Sequence, residues 1–282
     1  MNFLINLLIL KITLISTFLP FIRKIVIKLY TRILLTLLGI YSFNYKYRKI
    51  KKNQEPNIIL SSQSSLIDWL ILAYNYTPKF LYIAKSEDNS NDAFIELSTL
   101  NILFYGAGIK FPKKIKNGSY FDLDNYFSKK CNEPLVIFPE VTKSNRLAVL
   151  DIRSNLMDKI YQKMTGNKIN IRSEVIINKN YDFNTTDTVG IKSLFLLCSN
   201  LYAQIDIYSQ DIKNDIFNDE NLEYDSKKYP TKNIYFDFLI QEYLMEPSNR
   251  NTVSLNSKDH EKFIEYFKKT NSDYKANYIK NN

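Results

Sequence analysis

From Asn57 onward, short runs of aliphatic and β-branched residues alternate with longer stretches of helical pattern, and this alternation limits the fold more than any other feature. A short apolar run bounded by polar turns reads as a strand covered on both faces. Alternation of such strands with helices gives a parallel sheet with helices packed on its two sides. Strands are expected near Ile58–Leu60, Phe80–Ile83, Ile109–Phe111, Leu135–Phe138, Glu174–Ile177 and Ala203–Tyr208. Helices are expected over Ser65–Tyr76, Asp92–Phe104, Tyr120–Lys129, Val149–Met164 and Thr188–Ser199, the last capped by Asp187 or Thr188. The fold class that follows is α/β, a mixed and largely parallel sheet flanked by helices.

The region ahead of this alternation has a different texture. Phe3 to Phe21 is nearly continuous apolar sequence, about as long as the roughly 20 residues that cross a bilayer. A second apolar piece, Ile33 to Phe43, is too short to span alone. Arg23, Lys24, Lys28 and Arg32 lie between the two, and Lys46, Arg48, Lys49, Lys51 and Lys52 follow. Cationic flanks favour the cytoplasmic face and anionic headgroups, so the pattern suits a hairpin in one leaflet or a span leading into an interfacial helix. A cleaved signal peptide fits less well, because no basic residue precedes the apolar run and no small-residue cleavage site follows it. A buried amphipathic helix of the globular domain is the other reading.

Charge distribution narrows the function classes. Residues 1–54 carry ten of the 38 Lys and Arg and no Asp or Glu, leaving 28 basic against 29 acidic side chains in the rest. The net charge of +9 thus belongs to the apolar N-terminus and not to a groove tracking phosphates, which argues against a nucleic-acid partner. Two cysteines, Cys131 and Cys198, make neither a disulfide framework nor a metal motif. Six glycines are too few for a glycine-rich phosphate cradle, and no nucleotide fingerprint is present.

Three polar segments follow expected strands. Ser62-Gln63-Ser64-Ser65-Leu66-Ile67-Asp68 follows the first, Lys85 the second, and Phe138-Pro139-Glu140-Val141-Thr142-Lys143-Ser144 the strand ending at Phe138. In an open α/β sheet ligands bind beyond the carboxyl ends of the strands, so parallel neighbouring strands would bring these segments to one edge.

The two longer segments resemble the motif pair of the glycerophospholipid acyltransferase family, which includes the lysophosphatidic acid acyltransferases: N-H-x4-D, then F-P-E-G-T-R-S roughly seventy residues later. Gln63 stands in the histidine position, Asp68 keeps the aspartate, and Glu140, Thr142 and Ser144 keep theirs. Lys143 replaces the arginine and Val141 the glycine. A weaker match, Gly108-Ile109-Lys110-Phe111-Pro112-Lys113-Lys114, is similar to the family's G-x-x-F-x-x-R segment, with Lys114 in the Arg place. Solvated surface lysines are the alternative reading of that stretch. The resemblance spans roughly residues 52–208. Its nearest variant is a divergent yeast branch found at lipid droplets and the endoplasmic reticulum, which also lacks the first-motif histidine.

The resemblance implies a membrane-bound enzyme, its main domain cytosolic, that transfers a fatty acyl group from acyl-CoA to a lysophospholipid, with no bound cofactor or metal. Its partners would be lysophospholipid, acyl-CoA and membrane lipids. In the family a His–Asp pair takes the proton of the attacking glycerol hydroxyl. Gln63 matches the place but has no basic lone pair, and Asp68 would keep a geometric role. Taken alone, Asp68 is equally an ordinary first-turn carboxylate favoured by the helix dipole. Glu140 would bind the glycerol part of the acceptor and Lys143 its phosphate, as a point charge without arginine's fork. Val141 resists the positive φ open to glycine.

A catalytically impaired relative that binds lipid or scaffolds a membrane protein is the second reading, and an unrelated membrane-anchored α/β domain the third. His260, the one histidine, falls on an apolar face of a helix expected from Ser257. No histidine lies near Ser61, Ser62, Ser64 or Ser65 in sequence, which argues against a serine hydrolase. The expected organisation is a membrane-associating segment over residues 1–51, the α/β domain over 52–210, and a C-terminal extension over 211–282 with a polar loop at 211–232.

Overall fold

The computed structural model describes residues 20–48, 55–62, 66–85, 92–97, 121–128, 133–140, 148–150, 152, 157–158, 160–162, 169–178, 203–212, 225–245 and 251–253. In chain order they form α1 (Pro20–Leu37), β1 (Phe43–Arg48), β2 (Ile58–Ser61), α2 (Leu66–Tyr76), β3 (Lys79–Lys85), β4 (Asp92–Leu97), α3 (Leu123–Ser128), β5 (Leu135–Ile137), β6 (Ala148–Leu150), β7 (Ile171–Asn178), β8 (Ile205–Ile212), α4 (Lys232–Met245) and β9 (Asn251–Val253). Seven strands make one sheet in the order β1-β8-β7-β2-β5-β3-β4, and β6 pairs with β9 separately.

The central strands β7, β2, β5 and β3 run parallel to one another. β4 joins β3 and β8 joins β7 in antiparallel fashion, with β1 parallel to β8 at the far edge. Helices cover both sides, giving the mixed α/β architecture expected. On one face Ile59, Phe80, Val136, Ile176, Ile205 and Ile207 pack under α1 and α2. On the other, Ile58, Leu60, Leu81, Leu135, Ile137 and Val175 pack under α3, α4 and the helical residues Met157, Ile160 and Tyr161. Successive side chains of β2 thus feed opposite layers, which is why the strand is uninterrupted apolar sequence.

Several local expectations are corrected. The segment beginning at Asp92, expected as a helix, is strand β4 up to Leu97. Its alternation sends Ile95 and Leu97 to one layer and Phe94 to the other, with Lys79 reaching Glu96 at 3.0 Å on the neighbouring strand. The helix expected from Val149 begins as strand β6, because Val149 pairs with Thr252, a partner far along the chain. The polar loop expected from residue 211 yields its first two residues to β8 and ends at α4, a helix the sequence reading did not anticipate. The α3 helix is shorter than expected, starting where the Asp122 carboxylate accepts from the amides of Asp124 (2.9 Å) and Asn125 (3.1 Å). The strand at 109–111, the helix at 188–199 and the tail helix with His260 lie outside the described residues.

The N-terminal segment is corrected in part. Among the described residues no helix is long and apolar enough to cross a membrane. Instead α1 and β1 are built into the α/β body, so the boundary drawn at residue 51 divides one sheet. Leu35, Leu38 and Ile40 are buried in the α2-side core. Gly39, at φ 77°, closes α1 with paired bonds, Gly39 N–H to the Thr36 carbonyl (3.0 Å) and Ile40 N–H to that of Leu35 (2.9 Å). Leu35 and Ile40, on either side of this turn, are both buried in the same core, the usual apolar setting of such a cap. Residues 1–19, holding most of the longest apolar run, lie outside the described residues.

Candidate functional site

Parallel pairing of β2, β5 and β3 puts their carboxyl ends on one edge of the sheet. Ser61 ends β2 there, and the chain turns into α2, whose first turn carries Asp68. Phe138-Pro139-Glu140 leaves β5 beside it. Asp68 and Glu140 are each 1% exposed, so two carboxyl groups are buried on the two segments that the sequence singled out. Both are engaged in interactions within the protein.

An aromatic cluster holds the segments together. The Trp69 ring lies 4.4 Å from Phe138 and 5.1 Å from Phe80, centroid to centroid, and the Phe80 and Phe138 rings are nearly parallel. The residue following Asp68 therefore packs on the residue two before Glu140. Such ring pairs contribute about 0.5–1.5 kcal/mol each beyond their buried area, enough to fix the register of α2 over β5.

Of the candidate residues, Asp68 and Glu140 are brought to this edge. Gln63, Gly108, Phe111, Lys114, Thr142, Lys143 and Ser144 lie outside the described residues. Among the described residues no cluster of His, Cys, Asp and Glu is placed to hold a metal ion.

The sequence reading missed a third buried carboxyl beside the edge. Glu174 of β7 is fully buried and stands in register with Ser61. The Ser61 hydroxyl donates to the Glu174 carbonyl at 2.7 Å. The Glu174 carboxylate accepts from the Tyr76 hydroxyl at the end of α2 and from Ser209 Oγ of β8 at 2.8 Å. Two residues back, Arg172 donates to Asp211 at 2.7 Å and reaches Tyr76. Burial pushes the Glu174 carboxyl up to about 7, against the hydrogen bonds from Tyr76 and Ser209 and the charge of Arg172, which favour ionisation. Burial likewise raises the Tyr76 phenol. The available signal was alternation: Arg172 and Glu174 share a face with Ile176, which a buried strand would place in the core.

The outer face of α1 is the other feature of note. Ile22, Ile25, Leu29, Ile33 and Leu37, spaced by three or four residues, form one stripe with exposures of 38–67%. Arg23 lies 3.8 Å from Glu133, which precedes β5, so α1 starts at the opposite edge of the sheet. Ala203 N–H bonds to the Gly39 carbonyl at 3.0 Å just before β8, so α1 ends at the candidate-site edge.

No family model matches the sequence, and no curated protein matches it. Among solved structures, the chain is similar to the crystal structure of the 1-acyl-sn-glycerophosphate (LPA) acyltransferase PlsC from Thermotoga maritima, with 14% sequence identity and a TM-score of 0.42 over 81% of each chain.

Proposed function

We propose that this chain is a glycerolipid acyltransferase-type protein that works at a membrane surface, taking acyl-CoA as donor and a lysophospholipid of the lysophosphatidic acid type as acceptor. The observation that supports this reading is that Trp69, next to Asp68, packs on Phe138, two residues before Glu140, beyond the carboxyl ends of adjacent parallel strands. In the reaction the acceptor hydroxyl oxygen bonds to the thioester carbonyl carbon, the carbon–sulfur bond breaks, and CoA leaves as the thiol once it gains the hydroxyl proton. Glu140 holds the glycerol part; Thr142, Lys143 and Ser144 hold its phosphate. Lys114, in the segment with Gly108 and Phe111, belongs to a lysine field for a phosphate or for the CoA diphosphate. Asp68 orients Gln63, whose carboxamide hydrogen-bonds the attacking hydroxyl without removing its proton. Endoplasmic reticulum and lipid droplet membranes are the setting that the resemblance suggests.

The stripe on α1 supports the membrane part. Each aliphatic side chain buried in lipid contributes about 1.5–3 kcal/mol, and a lysine beside an anionic surface roughly 1 kcal/mol. Lys24 and Lys28 lie on the same helix, while Arg32 is held over the Phe43 and Tyr74 rings. The chain should sediment with phosphatidylcholine vesicles containing anionic phosphatidylglycerol, and Leu29→Glu with Ile33→Glu should weaken this. Unchanged sedimentation of that double variant would remove α1 from the membrane contact.

Gln63 favours a second reading, a lipid-binding relative without turnover. Loss of a general base costs roughly 10²–10⁴-fold in rate, so Gln63→His should raise acyl transfer by about that much. Measurable transfer by the wild type supports the enzyme. Lysophospholipid binding with no turnover until Gln63→His restores it supports the relative.

A further inference from the structure

Glu174 is a buried carboxyl that the proposed reaction does not use, and its contacts reach both ends of the segment carrying the first motif. Ser61, where that segment leaves the sheet, donates to its carbonyl. Tyr76, where α2 ends, donates to its carboxylate. Ser209, directly opposite on β8, binds the second carboxylate oxygen. We propose that Glu174 is a positioning residue of the candidate site: its main-chain carbonyl holds Ser61 and its carboxylate holds Tyr76 to β7, which fixes α2, the helix that carries Asp68. Its effect on acyl transfer rests on the function proposed above; the clamp itself does not.

The end of α2 gives independent geometric support. Thr77, next to Tyr76, is held at φ 46°, the left-handed region where a β-branched residue is disfavoured by roughly 1–2 kcal/mol. Pro78 follows and cannot extend the helix. A helix end fixed in so costly a conformation needs a tether, and the Tyr76 hydroxyl supplies it. The charged and titratable groups around the Glu174 carboxyl are Tyr76 from α2, Arg172 on β7 and Asp211 from β8. Arg172 and Asp211 pair with each other, so among the described residues the carboxyl has hydroxyl donors and a shared cation but no ion-pair partner of its own.

A clamp closed around a buried carboxyl favours the neutral form. Any opening that wets Glu174 returns it toward an ordinary carboxyl, so opening becomes easier as pH rises through about 7. The test is hydrogen–deuterium exchange on the full chain, with protection corrected for intrinsic rates, at about pH 6 and about pH 8. Wild-type protection across α2, residues 66–76, should fall on the order of tenfold more than that of β5 over this range. Glu174→Gln keeps size and hydrogen bonding without titrating, and should abolish the difference. Tyr76→Phe should lower protection of α2 at both pH values, while the pH response moves upward. Equal pH responses in wild type and Glu174→Gln, or loss spread uniformly over the sheet, would overturn the clamp. Run beside it, acyl transfer by the Gln63→His protein should show kcat, not KM, following the local protection. Expected exchange with no transfer in any variant would leave the clamp standing and refute the acyltransferase reading.

Discussion

The two faces of the sheet each bury a tyrosine hydroxyl donating to a carboxylate, and the two pairs are built differently. Under α2, Tyr76 meets Glu174 with Ser209 as a second donor and Arg172 nearby. Under α4, Tyr161 donates to Asp237 at 2.8 Å, and the neighbouring charge is another carboxylate, Asp158. Burial raises both carboxyls to about 7. In both, burial and a neighbouring carboxylate raise the carboxyl, Asp211 for the first and Asp158 for the second; the first is opposed by two hydroxyl donors and Arg172, the second by Tyr161 alone. The lesson is that one pairing motif serves as a tether where donors converge and as a plain core contact where they do not.

Truncation should separate them most sharply. Glu174→Ala strands two buried hydroxyls and opens a cavity, so urea denaturation at neutral pH should show a loss of about 3 kcal/mol. Asp237→Ala strands one hydroxyl but relieves repulsion from Asp158, and should cost about 1–2 kcal/mol. Equal losses would mean that the extra donors around Glu174 carry no weight.

Next in size is the pH response. Both carboxyls ionise near pH 4 when unfolded and near 7 when folded, so each stabilises fully below about pH 4 and loses that contribution as pH rises through about 7. Wild type should therefore unfold more readily at about pH 8 than at about pH 5. Glu174→Gln should remove a share of that slope on the order of 3 kcal/mol, and Asp237→Asn a comparable one. A slope unchanged by either variant would contradict the buried titrations.

Arg172→Gln offers a smaller contrast. It removes the cation favouring ionised Glu174, so the midpoint of the α2-side response should move to higher pH while that of Asp237 stays fixed, as followed by carboxyl chemical shifts. The smallest effect belongs to Thr77→Gly, which relieves the positive φ but frees the unfolded chain. A net gain of at most about 1 kcal/mol is expected from thermal melts.

What the sequence disclosed follows the same physics. β2, β3 and β5 were legible because strands buried on both faces leave unbroken apolar runs. β4 and β6 were misread because their partners decide them, Phe80 to Lys85 for one and Asn251 to Val253 for the other. That part of α1 is built into the core was not legible, because hydropathy cannot tell Leu35, which faces the core, from Leu37, which faces outward. Asp68 and Glu140 were singled out because two motifs share an order and spacing. Glu174 and Asp237 belong to no motif, and a lone carboxylate reveals its burial only when strand or helix phase is known.

The most direct test of the central claim, that the edge bearing Asp68 and Glu140 is an acyl-transfer site, uses labelled acyl-CoA and lysophosphatidic acid with membranes containing the Gln63→His protein. Label should appear in phosphatidic acid, should persist in Gln63→His with Asp237→Asn, and should be lost in Gln63→His with Glu140→Ala. Label transfer equal with and without Glu140, or absent from Gln63→His altogether, would contradict the account.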